Sequence, residues 1–132
     1  MAELIRKDLL YPELSYKIVG ILFEVSNQFG YRYEKRYFQR TIASFLKDAG
    51  IQFKEQAPVK LIIGNTEIAK GIIDFLIEEK IILEIKKGDR FLKRNIDQVN
   101  SYLQITGLQL GILANFTAKG LLFKRILNIR NS

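Results

Sequence analysis

The sequence predicts an α/β domain in which helices flank a sheet, and three observations carry that expectation. Apolar residues recur at helical spacing as far as Gly50, and β-branched runs then take over between Val59 and Ile85. One more helical pattern separates these runs from two further strand candidates. With 132 residues and no linker, repeat or low-complexity tract, the expectation is one domain over residues 1–132.

The first helix follows Tyr11-Pro12, with proline near its start, and carries Leu14, Ile18, Ile21, Leu22, Val25 and Phe29 on a helical spacing up to Gly30. A second runs from about Tyr33 through Phe38, Ile42, Phe45 and Leu46, and Gly50 ends it. Val59 to Ile63, Gly64-Asn65 and the residues from Thr66 read as a hairpin, because Gly and Asn tolerate the positive φ of tight turns. Ile72 to Ile77, the turn Glu78-Glu79-Lys80 and Ile81 to Ile85 continue it into three antiparallel strands. A third helix spans about Asn95 to Ile105 and stops at Thr106-Gly107; Leu110 to Leu113 and Leu121 to Leu127 are the last strands.

Composition narrows the chemistry. Hydrophobic residues make up 48% of the chain, with 9 Phe and 6 Tyr, enough for a core without staples. There is no Cys and no His, which excludes thiol nucleophiles, Cys or His zinc sites, Ser-His-Asp triads and disulfides. Any metal must therefore sit among oxygen ligands, which suits hard cations such as Mg²⁺ or Mn²⁺. A net charge of +7 favours polyanionic partners. The N-terminus lacks a signal-peptide core, and the uncharged stretch from Gln98 to Ala118 carries too many amides and hydroxyls for hydrocarbon, so a cytoplasmic protein without a membrane span is expected.

Asp74 and Glu84 interrupt runs that otherwise read as buried strands, and charges in such places require a partner or a metal. Alternation places Glu84 and Lys86 on one face and Ile85 on the other, and the turn folds Asp74 back beside them. A divalent cation between the two carboxylates would remove their repulsion, and the Lys86 ammonium would orient water or stabilise developing phosphorane charge. The competing reading is a plain salt-bridge cluster. Glu34, on the helical face of Phe38, Thr41 and Phe45, is the candidate third acid, with helix-dipole complementation as its alternative role; Glu24 is a weaker candidate. Gln98 and Tyr102, one turn apart, can present an amide and a phenol together to a phosphate or to the ligand shell, although such pairs are also common as surface and half-buried residues. Lys87, Arg90, Lys93 and Arg94 form a basic segment able to hold a phosphodiester backbone beside the acids, or simply a solvated face.

Asp74, nine intervening residues and Glu84-Ile85-Lys86 resemble the bipartite signature of the PD-(D/E)XK nuclease superfamily. The segments YPELSYKIVGILFEV, QFKEQAPVKLIIGN, IAKGIIDFLIEEKIILEIKK and QVNSYLQITGLQLGILANF, in this order, further resemble the GxxExxY family within it, over about residues 11 to 128. The resemblance implies a restriction-endonuclease-like fold, a central mixed β-sheet flanked by helices. It also implies Asp74 and Glu84 as metal ligands, Lys86 as the catalytic lysine, and Gln98 with Tyr102 as the helix motif beside the site. At the eponymous motif, Glu34 and Tyr37 satisfy ExxY while Tyr31 stands where the glycine is expected; a gapless alignment from Glu24 to Gly30 places Lys35 and Phe38 at the Glu and Tyr positions instead. Ser26 stands where the family often carries a His.

The expected function is a Mg²⁺- or Mn²⁺-dependent nuclease acting on phosphodiesters, with DNA as the expected nucleic acid. Asp74, Glu84 and Glu34 would hold the metal. The alternative is a catalytically inactive nucleic-acid-binding module on a degenerate nuclease fold; a third is a structural or dimerisation partner. A homodimer suits so small a chain and would supply paired sites.

Overall fold

The computed structural model describes residues 10–128. The elements run α1 (Pro12–Phe29), α2 (Lys35–Asp48), β1 (Phe53–Ile63), β2 (Thr66–Ile77), β3 (Ile81–Lys87), α3 (Lys93–Thr106), β4 (Leu110–Thr117) and β5 (Gly120–Leu127). The strands form one sheet in the order β1-β2-β3-β4-β5. Every neighbouring pair is antiparallel except β3 and β4, which are parallel. That pair needs a crossover connection, and α3 supplies it.

The sheet is covered on both faces. Ile18, Leu22 and Val25 of α1 and Phe38, Ile42 and Leu46 of α2 pack on Phe75, Ile77, Leu83, Ile85, Ile112 and Phe116. Val99, Tyr102 and Leu103 of α3 pack on the opposite face against Ile73, Ile82, Leu113 and Ile126. β4 is buried along its whole length, as expected of a strand sandwiched between helical layers, so its sequence reads as a continuous run without alternation. The Phe38 ring stacks on Phe116 with centroids 4.4 Å apart, fastening α2 over the end of β4.

Two departures from the sequence reading matter for the site. Helix α2 starts at Lys35, and Glu34 is its N-cap in extended conformation (φ −67°, ψ 155°). In addition, β1 and β2 exchange faces partway along. Phe75 lies on the α1/α2 face and Ile73, two residues away, on the α3 face; Phe53 and Ala57 change sides in the same way. Strict alternation would keep both members of each pair on one face. The change falls where Gln56 adopts a positive φ of 51° and drops out of the register between Glu55↔Phe75 and Ala57↔Ile73. Its missing partner is Asp74. On the other side of β2, pairing with β3 ends at Phe75↔Leu83, so the strands part at Asp74 and Glu84.

Candidate active site

Where β2 and β3 separate, the two acidic side chains replace the missing ladder. The Asp74 backbone N–H donates to Glu84 Oε1 at 3.1 Å, and the Ile85 N–H donates to Asp74 Oδ2 at 2.8 Å. Each carboxylate thus accepts from the opposite strand's backbone, and both are buried, at 4% and 2% exposure. Buried donors without partners would be costly, so this exchange explains how the sheet tolerates its own opening.

Helix α2 adds two contacts to Asp74. Lys35 Nζ lies 2.9 Å from Oδ2, and Gln39 Nε2 donates to Oδ1 at 3.1 Å. Lys35 and Gln39 are one helical turn apart, and Lys35 shares the stripe of Phe38, Ile42 and Leu46 that packs on the sheet. Glu34 lies outside this stripe: it precedes the first helical residue, and helical spacing aligns it with Thr41 and Phe45 rather than with Ile42 and Leu46. Its side chain is 70% exposed and pairs with Arg36 at 3.2 Å. The expectation that Glu34 shares the face of Phe38, and joins Asp74 and Glu84, is thereby corrected by one residue of register: Lys35, the alternative occupant, meets Asp74. Glu24 is also exposed and accepts a hydrogen bond from Gln28. No cluster of three acidic residues forms among the described residues.

The α3 side meets Glu84 differently. Burial, and then the neighbouring Asp74 carboxyl, push Glu84 up to about 8. Tyr102 is also raised, by burial and then by the Glu84 charge, while the Ile72 backbone and the Gln98 side chain hydrogen-bond its hydroxyl and act in the other direction. Gly71 makes room for this phenol. A Cβ there would stand 2.5 Å from Tyr102 Cε1, so only glycine lets the ring lie against β2. Gln98 Oε1 is buried without a hydrogen-bond partner.

Lys86 follows Glu84 by two residues on β3, half-buried, and its neighbour in the β3/β4 register is Asn115. Asn115 is a polar neighbour of the site that the strand pattern alone does not single out. It is buried, and its Nδ2 donates to the Arg90 carbonyl at 2.8 Å, tying the basic loop to β4. Its signal in the sequence is a lone amide inside Leu110–Phe116, the same kind of polar interruption as Asp74. Lys87, Arg90, Lys93 and Arg94 are all exposed, with Lys93 paired to Asp97 at 2.9 Å.

This donor set fits a hard divalent cation. Its ligands are oxygens, two buried carboxylates converge, burial and the neighbouring carboxyl raise Glu84, and Lys35 already brings one cation to Asp74. A mixed sheet opened by an acidic pair, with a lysine two residues beyond one acid, defines a nuclease-like α/β domain. The chain belongs to the PD-(D/E)XK nuclease superfamily, whose sequence profile matches residues 12–126. No curated protein matches it. Among solved structures it is similar to the crystal structure of SSO0001, with a TM-score of 0.58 and 20% identity over 73% of this chain and 50% of that one. It is also similar to the alkaline exonuclease LHK-Exo from Laribacter hongkongensis, with a TM-score of 0.52 and 15% identity over 71% of this chain and 55% of that one. The chain therefore spans about half the length of these two proteins, and the likeness is one of fold.

Proposed function

We propose that this chain is a divalent-cation-dependent nuclease of the GxxExxY group that hydrolyses phosphodiester bonds in DNA, with Mg²⁺ or Mn²⁺ held by Asp74 and Glu84. The carrying observation is the pair of buried carboxylates exchanging backbone hydrogen bonds at the opening of the sheet, with Lys86 following on the same strand. Nucleases of this superfamily generally use divalent metals, and one bound here supplies the charge that polarises a phosphate and acidifies a water. The protein's own groups do the rest. Lys86 orients the attacking water and offsets charge on the phosphorane. Gln98 and Tyr102 contact the phosphate beside Glu84, and Lys87, Arg90, Lys93 and Arg94 hold the flanking backbone.

The Lys35 ion pair favours a second reading, a nucleic-acid-binding module without activity, because an ammonium already neutralises Asp74. Cleavage of labelled single-stranded and duplex DNA in Mn²⁺ and in Mg²⁺, run beside Asp74→Ala and Lys86→Ala, separates the two. Cutting lost in both variants supports the nuclease. Binding without cutting in either cation supports the module.

A further inference from the structure

The end of α1, the turn that follows and the start of α2 carry exposed aromatic rings, Phe29, Tyr33 and Tyr37, that gather over the core residue Phe38. Tyr33 makes edge-to-face contacts with Phe29, Tyr37 and Phe38 at centroid distances of 6.3 to 6.5 Å. Only Phe38 of these four is buried; Tyr33 is 50% and Tyr37 41% exposed. Together they line an open cavity of about 190 Å³, room for a flat ring and too small for a large ligand.

Two cations stand at one of these rings, that of Tyr37. The Arg36 guanidinium lies 5.0 Å from the Tyr37 ring centroid and that of Arg40 lies 6.0 Å away, and Arg32 is exposed in the same turn. In a chain of net charge +7, exposed aromatic rings with guanidinium groups at one of them complement a polyanion that also offers flat, apolar rings.

The position links this surface to the acidic pair. Lys35 and Gln39, from the same two turns of α2, contact Asp74. Phe38, at the base of the cavity, stacks on Phe116, which lies beside Lys87 in the sheet. The aromatic surface and the basic segment that begins at Lys87 thus approach the end of β3 and β4 from two sides.

We propose that Tyr33 and Tyr37, with Arg36 and Arg40, form a stacking platform for unpaired bases of a single-stranded nucleic acid that crosses the acidic pair. This rests on the nuclease reading for its placement, though not for its chemistry. Bases in a duplex present their faces to one another, so the platform takes a single strand or a frayed end. Sequence preference is weak, because every base has a π-face.

The test is fluorescence anisotropy with labelled 12-mers of dT and of U and a blunt duplex, in EDTA, so that binding is read without cleavage. The full chain is compared with Tyr33→Ala/Tyr37→Ala. Expected is a loss of roughly tenfold or more in single-strand affinity in the double variant, with duplex affinity changed little. Tyr33→Phe/Tyr37→Phe retains binding, because the ring and not the hydroxyl is used. If the alanine pair fails to fold, Tyr33→Leu/Tyr37→Leu keeps apolar bulk without a π-face and must show the same loss. Comparable loss for dT and U means that the surface reads bases in either polymer; loss confined to one names that polymer as the ligand. No single-strand binding by the wild type, equal binding by the variants, or equal loss for duplex overturns the proposal. Single-strand binding lost in the variant while no cation yields cleavage would sink the nuclease reading alone.

Discussion

The two acids at the sheet opening lie side by side yet are treated oppositely by the helices that flank them. On the α2 side Asp74 is saturated, with Gln39 on one oxygen and Lys35 with the Ile85 N–H on the other. On the α3 side Glu84 receives one backbone donor and lies near the Tyr102 phenol, whose neighbour Gln98 keeps its Oε1 unpartnered. Similar burial thus leaves Asp74 compensated and Glu84 short of positive charge. The difference indicates where added positive charge is worth most, which is beside Glu84, and which group competes with it, namely Lys35.

The largest effect is expected from removing the shared carboxylate. Asp74→Ala leaves Lys35 and the Ile85 N–H without their acceptor, which should cost about 1–3 kcal/mol of stability and lower the cleavage rate by roughly a thousandfold. Calorimetric unfolding and single-turnover cleavage read the two losses separately. A variant that unfolds more readily but cuts normally would show that Asp74 serves only the fold.

Glu84→Gln sharpens the comparison through pH. Because the folded carboxyl is raised from 4.5 to about 8, the fold retains its full contribution from this group below pH 4.5. The unfolded chain ionises first, so metal-free stability falls as pH rises from there to about 8 and levels off above it. The glutamine variant should lose this slope, gaining roughly 1–2 kcal/mol relative to wild type at pH 8. Denaturant midpoints at pH 5 and pH 8 measure it.

Much of this arrangement is legible in the sequence because Asp74 and Glu84 break apolar runs and β3 alternates regularly from Ile81 to Lys86. The meander of the first three strands and the helix that follows it are read from the same runs. Two features are not legible. Phe38 belongs both to the stripe of Thr41 and Phe45, which takes in Glu34, and to that of Ile42 and Leu46, which takes in Lys35, and which stripe packs on the sheet decides whether a carboxylate or an ammonium meets Asp74. The exchange of faces at Gln56 and Asp74 is a backbone event, set by a positive φ at a residue type that does not announce it. It turns the outer part of the hairpin toward α3 and brings Gly71 under Tyr102. Asn115 was hidden for a simpler reason: in a strand buried along its whole length, one amide among apolar residues does not reveal that it anchors a loop.

A smaller effect is expected at Lys35. Lys35→Met removes the competing ammonium, so Mn²⁺ affinity should rise about tenfold while metal-free stability drops by roughly 1–2 kcal/mol. Thermal shifts with and without Mn²⁺ report both. Unchanged affinity would mean that Lys35 and the cation do not share Asp74. The smallest effect is expected at Tyr102→Phe, which keeps the ring packed on Gly71 and removes only the hydroxyl: cleavage should slow by about tenfold or less, with the melting temperature nearly unchanged.

The most direct test of the account is calorimetric titration of the full chain with Mn²⁺ at pH 6 and pH 8, alongside Glu84→Gln. The account predicts a saturable site involving Glu84, tighter at pH 8 because the raised Glu84 carboxyl must ionise to take the cation, and lost in the variant. No binding by the wild type, or equal binding by Glu84→Gln, would contradict the claim that the two buried carboxylates form a cation site.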